Sequence, residues 1–136
     1  MRAVTILTTA FFAMLSSGAM AANDCASAKD QMTSDKCANN EFVAADKNLN
    51  ATFQEIKKRL GDDADTTKLL VAAQRAWILF RDAECTFQSS ASAGGSIYPM
   101  VLTECKAELT RKRTKDLKSY LSCEEGDMSC PLPAAQ

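Results

Sequence analysis

Proline is absent from Ala22 to Tyr98, and apolar residues return at spacings of three and four along this stretch. Ala38, Phe42, Ala45, Leu49, Phe53, Ile56 and Leu60 form one stripe, which predicts an amphipathic helix. Thr33 or Ser34 is its expected N-cap, and Gly61 is a natural stop. The linker GDDAD then offers Asp63 or Asp65 as the next cap. A second stripe follows at Leu70, Ala73, Trp77, Phe80, Glu84 and Phe87. After SSASAGGS a third helix carries Val101, Leu102, Cys105, Leu109, Arg113, Leu117 and Leu121. No stretch alternates as a strand would. The expected fold is all-α, a small three-helix antiparallel bundle.

The N-terminus predicts export. Arg2 precedes an uncharged run from Ala3 to Leu15, and Ala19 and Ala21 occupy the −3 and −1 positions of an A-x-A cleavage site. Residues 1–21 therefore read as a signal peptide, cut after Ala21. The run is too short and too rich in threonine for a good membrane span, so no stable membrane insertion is expected. Lipid attachment at Cys25 would need small residues before it, where Asn23 and Asp24 stand. The mature chain is expected in the periplasm or secreted, with a helical domain over 22–123 and an acidic loop and C-terminal tail over 124–136.

Export changes the meaning of the six cysteines. In a short exported chain an even number reads as a disulfide framework. No two form a C-x-x-C pair, which argues against zinc or thioredoxin-type chemistry. Cys85 and Cys105 are symmetric about Gly95, so they fall at one level of an antiparallel helical hairpin. Nearest neighbours complete the scheme as Cys25–Cys37 and Cys123–Cys130. A core this small needs such staples.

Charge and composition narrow the chemistry. The formal net charge is −1, and there is no histidine. Without a basic excess, neither nucleic acid nor an anionic membrane is an expected partner. The commonest general base and metal ligand is missing, and no nucleophile stands with an orienting base. No catalytic residue, metal or cofactor is assigned, and the chain is not expected to be an enzyme.

Residues 73–85, AQRAWILFRDAEC, gather the only tryptophan with two arginines and two acids. Trp77 and Phe80 lie on the predicted buried stripe, so core packing is their expected role. Arg81 and Asp82 are adjacent in sequence and should not face each other on a helix. The polar groups are expected to pair with flanking helices, Arg111 and Arg113 meeting Glu84 and Asp82, and Asp46 meeting Arg75.

These blocks carry a resemblance. EFVAADKNLN at 41–50, AQRAWILFRDAEC at 73–85, GGSIYPM at 94–100 and LTRKRTKDL at 109–117, with Cys37 and Cys105, resemble the LprI-like lysozyme inhibitor family. Trp77, Arg81, Asp82, Glu84, Gly94 and Gly95 are the positions that carry it most visibly. The resemblance implies an exported protein that binds lysozyme and blocks its cleft. The absent lipid-attachment motif and the pair Cys123 and Cys130 depart from the founding lipoprotein type.

Blocking a basic lysozyme calls for some negative surface and a protruding element. The loop 89–99 offers Ser96 and Tyr98, and the loop CEEGDMSC offers Glu124, Glu125 and Asp127. The alternative reading is a periplasmic structural or accessory protein that binds another envelope component.

Overall fold

A computed structural model describes residues 25–124 and 126–133. The expected leader peptide with its expected cleavage site, and Glu125, lie outside the described residues. Three long helices follow one another, α1 (Gln31–Leu60), α2 (Ala64–Gln88) and α3 (Tyr98–Leu121). The all-α expectation is met.

The helix boundaries follow from local chemistry. Asp30, not Thr33 or Ser34, caps α1, its carboxylate accepting from the Thr33 N–H at 2.8 Å and the Thr33 hydroxyl at 2.9 Å. A carboxylate reaches the orphan amides of the first turn and also favours the positive end of the helix dipole. Gly61 ends α1 at φ +58°, a conformation that costs glycine little. Asp63 caps α2 by accepting from the Thr66 N–H at 3.0 Å. Pro99 sits in the first turn of α3, where its missing N–H leaves no bond unmade.

The chain runs up, down and up, so α1 and α3 are parallel and α2 opposes both. Gln31 reaches Met100 at one end, and Arg59 donates to the Leu121 carbonyl (2.6 Å) at the other. The principal packing is between α1 and α3, the helices farthest apart in sequence. Small buried residues line that seam, Ala38 and Ala45 on α1 facing Ala107, Thr110 and Thr114 on α3. They let the two backbones approach closely. Below them Leu49, Ile56, Leu60 and Leu117 form the apolar core, joined by Leu132 from beyond the last helix.

Two predicted stripes are rotated. On α3 the buried residues are Ala107, Thr110, Thr114 and Leu117, whereas Leu109 and Arg113 are half-buried. On α2 the expectation of a buried Phe80 and Phe87 fails. The buried residues are Gln74, Arg81 and Cys85, and Ala73, Phe80 and Phe87 face solvent. A helix that is apolar on two sides can present either one, and the partners on α1 and α3 decide which.

All three disulfides pair as expected, Cys25–Cys37, Cys85–Cys105 and Cys123–Cys130. Cys85 and Cys105 have Cα atoms 5.6 Å apart, within the ordinary span of the bond. No helix among the described residues is long and apolar enough to cross a membrane.

Candidate functional site

Of the signature residues of α2, Trp77 and Asp82 assemble around Arg81. Its side chain is 9 % exposed, and its guanidinium lies over the Phe42 ring at 5.2 Å and the Trp77 ring at 5.3 Å. One ring comes from α1 and the other from the turn below on α2. The polar edge of the guanidinium is satisfied by Asp82 at 3.0 Å, with Asp46 at 4.0 Å and the Thr110 hydroxyl at 3.5 Å. Lys106 closes the group by meeting Asp82 at 3.3 Å. Burial pushes the Asp82 carboxyl up, but hydrogen bonds and charge from Arg81, with Lys106, more than offset it and hold it below its ordinary value.

Several expected pairings are corrected here. Arg81 and Asp82 do meet, because the long guanidinium arm swings back to its neighbour at the edge of the helix. Asp46 meets Arg81, not Arg75, which is exposed. Arg111 pairs with Glu41 and Glu108, and Arg113 donates to the buried Gln74 at 3.2 Å, so neither reaches Glu84 or Asp82. Glu84 instead accepts from Gln88 at 2.8 Å, within its own helix. The cluster is a satisfied knot that ties α2 to α1 and α3. Every group that could act as acid or base in it is already engaged.

The two candidate contact loops are held differently. The segment between α2 and α3 is closed at its base by Cys85–Cys105 and bonded within itself. Ser92, Ala93 and Gly95 donate their amides to the carbonyls of Ser89, Ser90 and Ser92 at 3.0, 3.1 and 3.0 Å. Ser89 is buried and donates its hydroxyl to the Cys85 carbonyl at 2.7 Å. Nothing in the run SSASAGGS distinguishes it from its neighbours, so sequence reasoning missed it. Gly94 adopts φ +80°, and a Cβ on Gly95 would stand 3.2 Å from the Ser92 carbonyl oxygen. Both glycines therefore shape the loop. Ser96 and Ile97 are exposed on it, and Tyr98 is half-buried at the start of α3.

The second loop lies at the opposite end of the bundle. Its Asp127 accepts from the Ser129 N–H at 2.9 Å and hydroxyl at 2.6 Å, which lower its pKa and close a small turn. Glu124 is exposed. The 24 residues of α3 separate the two loops by about 36 Å, so the structure does not bring Ser96 and Tyr98 together with Glu124 and Asp127. Among the described residues no group of three His, Cys, Asp or Glu side chains could hold a metal ion.

Residues 21–117 match the family described as lysozyme inhibitor LprI. The chain belongs to this family. The match contains the Arg81 knot and the loop bearing Ser96 and Tyr98, and it ends before Glu124 and Asp127. An uncharacterised protein of Rhizobium meliloti (strain 1021) is 41 % identical over 113 residues, which span 75 % of this chain and 81 % of the relative. Among solved structures, the fold is similar to a DUF1311 family protein from Pseudomonas putida KT2440, with a TM-score of 0.61 and 27 % identity. That likeness covers 67 % of this chain and 92 % of the neighbour. The LprI match thus spans the whole helical bundle up to the last turn of α3.

Proposed function

We propose that the protein is exported and inhibits lysozyme, presenting the loop between α2 and α3 to the enzyme's cleft. The observation that carries this reading is the position of the family match, which includes this loop and stops short of the acidic one. Three disulfides suit an oxidising compartment. The loop is already ordered by its internal hydrogen bonds and the Cys85–Cys105 staple, so little conformational entropy is lost when it enters a groove. Ser96 and Tyr98 are the proposed contacts. Glu124 and Asp127 lie outside the proposed contact, because one cleft cannot engage both ends of the bundle. The protein acts by occlusion, with no catalytic residue of its own.

The test is titration of the oxidised protein against a c-type lysozyme lysing bacterial cell walls, with a reduced and alkylated sample as control. Saturable inhibition by the oxidised form alone is expected. Ser96→Arg, an exposed change, is expected to weaken inhibition roughly tenfold, the scale of one well-placed interface contact. Glu124→Lys is expected to leave it unchanged. Loss of inhibition with Glu124→Lys but not with Ser96→Arg would transfer the contact to the other end. No inhibition at large excess would leave an accessory envelope-binding role in its place.

A further inference from the structure

The outward face of α2 is apolar, and its spacing has a second meaning. Leu69, Ala73, Ala76, Phe80, Ala83 and Phe87 follow one another at intervals of four, three, four, three and four, a heptad seam of nearly three repeats. All six are exposed, with Leu69 at 71 %, Phe80 at 54 % and Phe87 at 74 %, and Leu79 beside them at 73 %. Lys68, Arg75 and Asp82 lie off the seam, which carries no charge. Nothing else among the described residues covers it.

The seam is symmetric about residue 78. Laid antiparallel on a second copy, Phe80 meets Ala76, Ala83 meets Ala73, and Phe87 meets Leu69. Large residues face small ones in the central layers, and the alanine layers let the helices approach. The outer layer has a further fit. Leu69 and Ala73 form the rim of an apolar groove of about 220 Å3, whose walls include Leu60, Tyr120 and Leu132. Phe87 stands 18 residues along the same seam, about 27 Å away. One molecule thus carries both a projecting aromatic ring and a groove to receive one, placed so that a two-fold axis near residue 78 exchanges them.

We propose that two copies of this chain pair antiparallel through the α2 seam, each seating Phe87 in the other's groove beside Leu69. The available area suits this occupant. With Phe side chains burying about 150–250 Å2 and Leu somewhat less, the exposed fractions of the four large residues offer about 500 Å2 before the alanines and the groove are counted. That falls in the upper half of the range for the apolar patch on an ordinary monomer, about 300–600 Å2. With the alanines and groove it approaches the roughly 800 Å2 per partner of a specific interface. The contact is isologous and closes on itself, so it yields a dimer and no larger assembly. Leu79 of each copy flanks the axis, and the 89–97 loops fall at opposite ends of the pair.

Sedimentation equilibrium of the oxidised protein across the micromolar range tests the pairing without any lysozyme. A mass of two chains is expected, dissociating on dilution. Phe87→Glu and Ala76→Glu, both at exposed positions, are expected to raise the dissociation constant roughly a hundredfold, since each would bury an unpaired carboxylate. Their thermal midpoints, measured at a concentration where the parent is itself monomeric, should match the parent's, which separates lost pairing from lost folding. A single-chain mass at every concentration would overturn the proposal, as would a dimer that survives both variants. A monomer whose Phe87→Glu variant loses lysozyme inhibition would also overturn it, and would give this face to the enzyme.

Discussion

Arg81 lies over the ring of Trp77, one helical turn behind it, with the guanidinium carbon 5.3 Å from the ring centre. The Phe42 ring of α1 lies 5.2 Å from the same guanidinium, so the cation contacts two aromatic rings while its edge meets carboxylates. A planar guanidinium can stack and hydrogen-bond at once, and an ammonium cannot.

Arg81→Lys should therefore cost about 1–2 kcal/mol by losing the stacked contacts alone. Arg81→Ala should cost more, about 2–4 kcal/mol, because Asp82 and Asp46 also lose their shared partner. Urea denaturation followed by circular dichroism measures both. Equal midpoints for the parent and the two variants would mean that the knot contributes nothing to stability.

Trp77→Ala should cost about 2–3 kcal/mol, somewhat less than the roughly 3–5 kcal/mol of a fully buried tryptophan, because Trp77 is only half-buried. The same variant removes one of the two rings that Arg81 contacts. The double variant with Arg81→Ala should accordingly cost less than the two single changes added together, by an amount a double-mutant cycle reads directly.

Replacing both Cys85 and Cys105 by Ser should cost about 3 kcal/mol, the loop-closure value for a separation of 20 residues. If the α2–α3 loop is the lysozyme contact, inhibition should fall further than the residual folded fraction explains. Thermal unfolding and the lytic assay on the same sample separate these two effects.

The pH dependence has one sign throughout. Asp30 and Asp63 are held low first by the amides they cap, Glu108 first by Arg111, and Asp127 first by Ser129. For Asp82 burial acts upward and is outweighed by Arg81 and Lys106. Each depressed carboxylate stabilises the fold above its unfolded pKa and loses that contribution as pH falls through the folded value. Stability should be level from neutral pH down to roughly pH 5 and decline below about pH 4. Asp82→Asn should flatten part of that decline in urea midpoints measured from pH 7 to pH 2.5, and a decline as steep as the parent's would remove Asp82 from the account.

Much of the architecture was legible because it is local. The stripe from Ala38 to Leu60, the stop at Gly61 and the cap at Asp63, one of two candidates with Asp65, depend on neighbours within a few residues. The Cys85–Cys105 bridge was legible from its symmetry about the glycine turn. Which side of α2 turns inward was not, because the helix is apolar on two faces and period alone does not choose between them. The choice was made by Phe42, 39 positions before Arg81, and by Thr110, 29 positions after it. Together they form a slot that fits a stacked, hydrogen-bonded guanidinium better than a phenyl ring. The same remoteness hid the close α1–α3 seam and the return of Leu132 to the core. The sequence by itself therefore determined the three helices, the stop at Gly61 and the staples, though not the cap at Asp30. Only the tertiary structure decided that Arg81 is buried and Phe80 and Phe87 are exposed, because burial depends on what the other helices bring to meet each face.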